Sequence, residues 1–274
     1  MVGAGGPPPA APPAPAEGVV SRVRSRAGRI GMAFTVAGIA VHLVSVVARG
    51  LSVDRVPWGN MYEFSSAVTL SASVIFVVLV ARGTVDRGIG AFVMLPVVLS
   101  LGLAATVLYT PAGPLVPALD SYWIRIHVFA AVLCTGAFLL SGVVAGLYLL
   151  RAAYDARGGS SRFPLSMGAT LPSARSLDRA SYAVIAFAFP LWTFAIIAGA
   201  IWAEAAWGRY WGWDPKETWS FITWVLYAGY LHARATAGWK GRRAAWVAVA
   251  AAVALTINYY VVNIFVVGLH SYAS

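Results

Sequence analysis

The chain has 274 residues, 59% of them apolar and only 11% charged, with a mean hydropathy of +0.74. Soluble domains carry about a quarter charged residues, so the composition excludes an ordinary soluble protein and points to an integral membrane protein. A formal net charge of +10 would suggest nucleic acid in a soluble domain, but in a membrane chain it is first a topology signal.

Residues 1–28 open on Pro, Ala and Gly and close on arginines. Such a segment cannot bury a core, and it predicts a disordered cytoplasmic tail. The first apolar run lies behind this tail, which argues against a cleavable signal peptide. Residues 29–274 form the membrane-embedded domain. A helix needs about 20 residues to cross the hydrocarbon core, and runs of that length lie at Ile30–Ala48, Met61–Ala81, Gly88–Thr110, Ile126–Leu150, Ala180–Ala203, Glu217–Ala237 and Ala244–Val267. The expected fold is therefore all-α, a polytopic bundle of about seven spans. The single cysteine, Cys134, lies within the fourth run and excludes an internal disulfide and any CxxC redox motif.

With the N-terminus in the cytoplasm, fifteen of the twenty Lys and Arg fall inside, and only Arg49, Arg55, Arg125, Arg209 and Lys216 fall outside. The basic excess follows the positive-inside rule and calls for no nucleic acid. Seven spans then leave the C-terminus outside. The loop at about 204–216, the start of span four with His127, and the C-terminal Gly268-Leu269-His270 converge on that outer face.

The loop is unusual. Trp207-Gly208-Arg209-Tyr210-Trp211-Gly212-Trp213-Asp214-Pro215-Lys216-Glu217-Thr218-Trp219 holds four of the eleven tryptophans. Asp214 suits the N-cap of span six, with Pro215 at the first helical position and Glu217 completing a capping box. A direct contact of Asp214 with a ligand is the other reading. An interfacial anchoring belt accounts for Trp202, Trp219, Trp224, Trp239 and Trp246. Trp207, Trp211 and Trp213 are denser than a belt requires and suit a flat apolar ligand on which indoles stack, its carboxylates paired with Arg209, Lys216 or Arg125.

All four histidines, His42, His127, His232 and His270, lie in or at the ends of apolar runs, where an ionisable group suggests function. Neutral imidazole suits iron in a porphyrin. His127 and His270, framing the Trp loop, make a haem cradle; plain hydrogen bonding at the interface is the alternative. His232 lies fifteen residues after Glu217, about 22 Å below the outer end. For His42, a packed histidine and a ligand are both open. Glu63 is the main acidic residue within a span, so a proton-coupled transporter is disfavoured.

With these residues in view, the chain resembles the CcsA (ResC) family of System II cytochrome c maturation, haem-handling membrane proteins with a "WWD" segment. The resemblance rests on Trp207 to Trp219, on Tyr230-Leu231-His232-Ala233-Arg234, on Asn263 to Tyr272, and on Pro57-Trp58-Gly59-Asn60-Met61-Tyr62-Glu63-Phe64. The last is similar to the family's N-L-Y-E-S, with Met for Leu and Phe for Ser. It implies haem b as substrate, His127 and His270 as outer iron ligands, and His232 in an intramembrane haem site; His42 matches no family motif. It further implies a ResB/CcsB-type membrane partner in a cytochrome c synthase complex, and apocytochrome c, whose CxxCH thiols receive the haem. The resemblance also leaves room for thiol-reducing proteins of the same pathway and implies a place in the bacterial cytoplasmic membrane. A haem exporter or chaperone without thioether formation, and a non-catalytic scaffold, are the competing functions.

Overall fold

A computed structural model of the chain describes residues 17–115 and 119–270. Its principal helices are α1 (Glu17–Leu51), α2 (Met61–Ala81), α3 (Gly90–Thr106), α4 (Tyr122–Asp155), α5 (Ala174–Trp207), α6 (Pro215–Thr236) and α7 (Arg242–Thr256). The last helix continues through a π-helical stretch, Ile257–Val262, into a final turn at Asn263–Phe265. No strand occurs among the described residues, so the protein is an all-α helical membrane bundle.

Six of these helices are long and apolar enough to cross a membrane; α6 is not among them. At 22 residues it is about 33 Å long, enough to span. Its apolarity falls short because it carries Lys216, Glu217, His232 and Arg234. Three of those four are paired: Glu217 with the helix cap, Lys216 with Asn263 and Arg234 with Asp178 at 2.8 Å. Partnering is what makes polar side chains tolerable in such a helix.

Residues 1–16 of the expected tail lie outside the described residues, and 17–28 form the first turns of α1 instead of a disordered segment. Helices α4 and α5 extend beyond the expected runs at both ends. The expected 204–216 loop is thereby reduced to 208–214.

The α4–α5 hairpin is the centre of the bundle. Phe138 stacks on Tyr227 of α6 at 3.9 Å between ring centroids and meets Trp192 of α5 edge-on. Small residues set the close approaches, as expected where lipid offers no hydrophobic drive between helices. A Cβ on Gly142 would come within 2.5 Å of Ala252 in α7, and one on Gly136 within 2.8 Å of the α2 backbone. By contrast, α1 packs mainly on α2 and leaves Phe34, Val41 and Val44 exposed to the lipid side. Cys134 is fully buried, as its place in an apolar run predicts.

Candidate functional site

At one end of the bundle the ends of α1 and α5 meet the starts of α2, α4 and α6 and the last turn of the chain. Helix α5 stops at Gly208, whose left-handed φ of 70° closes the C-cap with an N–H to Glu204 O at 2.8 Å. Seven residues later α6 begins with the capping box expected from its sequence. Glu217 Oε2 accepts from Gly212 N at 2.8 Å and Asp214 N at 3.0 Å, while Asp214 Oδ1 accepts from Lys216 N at 3.1 Å. Between them Trp213 holds a left-handed φ of 58°, a conformation costing a non-glycine residue about 1 kcal/mol or more.

Asp214 does more than cap. Its Oδ2 accepts from Leu269 N at 2.7 Å and its Oδ1 from His270 Nδ1 at 2.8 Å. Gly268 permits this, since a Cβ there would sit 2.6 Å from Asp214 Oδ2. Burial pushes the Asp214 carboxyl up, but the hydrogen bonds from His270 and Leu269 outweigh it and hold the group at about 2. Burial pulls His270 below the usual imidazole range despite the carboxylate beside it. Asp214 is thus ionised and His270 neutral at physiological pH. A carboxylate only accepts, so the proton of this neutral ring sits on Nδ1.

His127 reaches the same state by another route. On the second turn of α4, its Nδ1 lies 2.7 Å from Ala195 O in α5. A backbone carbonyl is also only an acceptor, so Nδ1 of His127 donates and its Nε2 carries the lone pair. The ring lies against Gly199, where a Cβ would be 2.6 Å from Nδ1.

Both histidines line one cavity of about 1150 Å³, counted with its open mouth. Trp58, Trp202, Trp211 and Trp192 supply aromatic surface, and Lys216 and Glu217 supply charge. Among the described residues no three His, Cys, Asp or Glu side chains converge on a metal position. A porphyrin brings four nitrogens of its own, so two imidazoles complete its iron, and the wall offers the apolar, aromatic surface that such a flat ligand needs. These residues therefore fit a haem.

The structure divides the other expected site residues. Trp211 lines the cavity. Trp207 stands behind, its ring centroid 4.9 Å from His270 and 4.7 Å from Trp202. Trp213 is 64% exposed and turned outward, edge-on to Trp211 at 5.7 Å and to Phe221 at 6.0 Å. Lys216 lines the cavity, its Nζ donating to Asn263 Oδ1. Arg209 folds over Gly212 and reaches Glu217 at 3.5 Å, outside the lining. Arg125 is exposed and paired with Asp120 at 2.8 Å, away from the cavity, because the first turn of α4 turns it towards solvent. Asp214 lies behind His270, outside the lining of this cavity.

His42 and His232 are elsewhere. His42, half-buried on α1, has Nε2 2.8 Å from Ser66 Oγ of α2. His232, near the end of α6, is exposed, and among the described residues its ring has no hydrogen-bonding partner.

Sequence reasoning missed part of the wall. Trp202, read as belt, is 2% exposed and faces the cavity. The signal was its register, since Trp192, Ala195, Gly199 and Trp202 recur at helical spacing and form the α5 face of the site. Asn258 and Asn263 also line the cavity; the first lies within the π-helical stretch and the second directly after it, and the extra residue per turn is not readable from apolar periodicity.

The chain matches the family model described as "Cytochrome C assembly protein" over residues 58–270. It is 36% identical to a cytochrome c biogenesis protein CcsA from Gloeobacter violaceus, covering 85% of this chain and 84% of that one. It is also 37% identical to a CcsA protein from Microcystis aeruginosa, covering 82% and 81%, and 35% identical to one from Guillardia theta, covering 89% and 85%. The matched region holds α2 to the final turn, with both cavity histidines and the capping box between them. This membrane protein therefore belongs to the CcsA family of cytochrome c biogenesis proteins and serves cytochrome c maturation.

Proposed function

We propose that this protein is the haem-handling membrane subunit of a cytochrome c synthase, which brings haem b to the outer face of the bacterial cytoplasmic membrane and presents it to the CxxCH of apocytochrome c. The observation that carries the reading is the pair His127 and His270. Each has its proton directed to an acceptor, Ala195 O or Asp214, and each lines the same aromatic cavity. Metal-binding histidines characteristically donate their second ring nitrogen to such a carbonyl or carboxylate, which fixes ring and tautomer.

In this reading Nε2 of His127 and of His270 hold the iron, Trp211 and Trp202 bound the macrocycle, and Lys216, with Arg209 at the rim, attracts the propionates. Trp207 props His270, and Trp213 faces the outside. Arg125, at the outer surface, belongs to the approach rather than the seat. The 15-to-5 partition of basic residues supports a cavity end that faces outside. His232 is the intramembrane contact on the way there, and a ResB/CcsB-type subunit supplies what the exposed His232 lacks. His42 is tied to Ser66 of α2, away from the cavity.

Attachment itself is redox-neutral: the cysteine sulfur bonds one vinyl carbon, the C=C becomes a single bond, and the thiol proton goes to the other carbon. Both thiols come from the apocytochrome, kept reduced by a thiol-reducing pathway, because Cys134 is buried in the helix core. The contribution of this chain is orientation, which can be worth several orders of magnitude in such a step.

The test is purification in detergent with an absorption spectrum, beside co-expression with the ResB-type partner and an apocytochrome. Wild type is expected to carry six-coordinate haem and to yield covalent cytochrome c. The His127→Ala, His270→Ala variant is expected to lose both. A double variant retaining wild-type haem and maturation would falsify the assignment. Haem bound without covalent cytochrome would instead indicate an exporter or chaperone.

A further inference from the structure

We propose that Glu63 is a positioning residue for the cavity: its carboxylate, clamped by Arg49 and Arg55, holds the 58–61 segment as a fixed wall and so sets how long a planar ligand stays bound. This rests on the haem reading of the same cavity.

Glu63, in the first turn of α2, has a side chain with no solvent exposure. Its Oε1 accepts from Arg49 Nε at 2.9 Å and Arg55 Nη2 at 3.0 Å, and its Oε2 from Arg55 Nη1 at 2.7 Å and Gly59 N at 2.8 Å. Four donors from the end of α1 and the α1–α2 loop thus converge on one carboxylate. The two arginines reach further: Arg49 Nη2 donates to Thr110 O and Arg55 Nε to Gly113 O at 2.8 Å. The segment following α3 is thereby tied to the same point. Gly59 closes the joint, since a Cβ there would meet Leu115 at 2.5 Å and Arg55 Nη1 at 3.1 Å.

The consequence lies one residue away on either side. Trp58, Gly59, Asn60 and Met61 all line the cavity that holds His127 and His270. Asn60 is further fixed as the N-cap of α2, accepting from Glu63 N at 2.9 Å. Glu63 therefore touches no ligand itself and acts through the loop, in the way that groups behind a metal ligand hold it in place. A carboxylate between two arginines, which leaves one positive charge in excess, is a costly arrangement in a membrane protein unless its geometry is used.

The test uses the full-length chain purified in mild detergent, with ferric haem as probe. Wild type, Glu63→Gln and the double variant Glu63→Gln, Arg49→Met are compared for haem dissociation rate, Soret position and thermal midpoint. The double variant restores the charge balance, and carries the test if the single one fails to fold. Dissociation is expected to quicken about ten-fold or more in both, with the Soret position unchanged because both imidazoles stay in place. A rate within two-fold of wild type in a folded variant, or full recovery on restoring charge balance, overturns the positioning role. Wild-type chain that binds no haem overturns the proposed function and this inference with it, whereas normal wild-type binding with unaltered variants overturns this inference alone.

Discussion

The four histidines form two contrasting pairs. His127 and His270 share a cavity, and each ring has behind it a group that can only accept, a carbonyl 2.7 Å away or a carboxylate 2.8 Å away. His42 has a serine hydroxyl at 2.8 Å, and His232 is exposed. A hydroxyl both donates and accepts, so it leaves the imidazole tautomer open. The lesson is that depth in an apolar run does not distinguish a prepared ligand from a packed histidine. The group behind the ring does, and here the first pair is preorganised by its acceptors while the second is not.

Asp214→Asn attacks that difference most directly. Asparagine caps a helix as well as aspartate, so the start of α6 should survive while the carboxylate behind His270 is lost. Haem affinity is expected to fall about 10–100-fold, the usual loss when such an outer partner of a metal ligand is removed. An absorbance titration checks it; a change under two-fold would mean that fixing the tautomer does not separate the pairs.

Gly199→Ala tests the other member. The new Cβ would lie 2.6 Å from His127 Nδ1 and 2.7 Å from its Cε1, so the ring must move off Ala195 O. A loss of about ten-fold in haem affinity, at the lower end for a disturbed ligand, is expected, with a spectrum shifted away from bis-imidazole. An unshifted spectrum would show that His127 needs no such seat.

Much of this was readable before any coordinates. The capping box at Asp214 follows from rules acting within one turn, the helix count from runs of spanning length, and the convergence of His127, the Trp loop and His270 from counting those spans. What stayed hidden depends on contacts across the bundle. Nothing local shows that Asp214 reaches fifty-six residues along to His270, or that Glu63 gathers Arg49 and Arg55. Arg125 and Arg209 were grouped with Lys216 because charge near a ligand loop looks alike in sequence. Only packing turns Arg125 to Asp120, folds Arg209 over Gly212 and leaves Lys216 in the cavity.

The tryptophans offer a smaller test within the loop. Trp211 lines the cavity while Trp213 is 64% exposed. Trp211→Leu should cost about 0.5–1.5 kcal/mol of ring contact, a weakening of haem binding by about two- to ten-fold, and Trp213→Leu should leave it unchanged. Equal effects in haem titrations would show that the loop acts as one aromatic surface without an inner and an outer ring.

The smallest effect is expected at Ser66→Ala, which removes the hydrogen bond between the His42 ring and α2. A neutral hydrogen bond contributes about 0.5–1.5 kcal/mol, and the half-buried ring can turn towards other partners, so the thermal midpoint should drop slightly. Haem bound in the cavity should keep its affinity and its spectrum, because Ala195 and Asp214, which hold His127 and His270, lie on α5 and at the start of α6. A loss of haem comparable to that of Asp214→Asn would place His42 in the haem-binding machinery. The serine hydroxyl would then be doing for His42 what Asp214 does for His270, and the preorganisation argued from the acceptors alone would be too narrow.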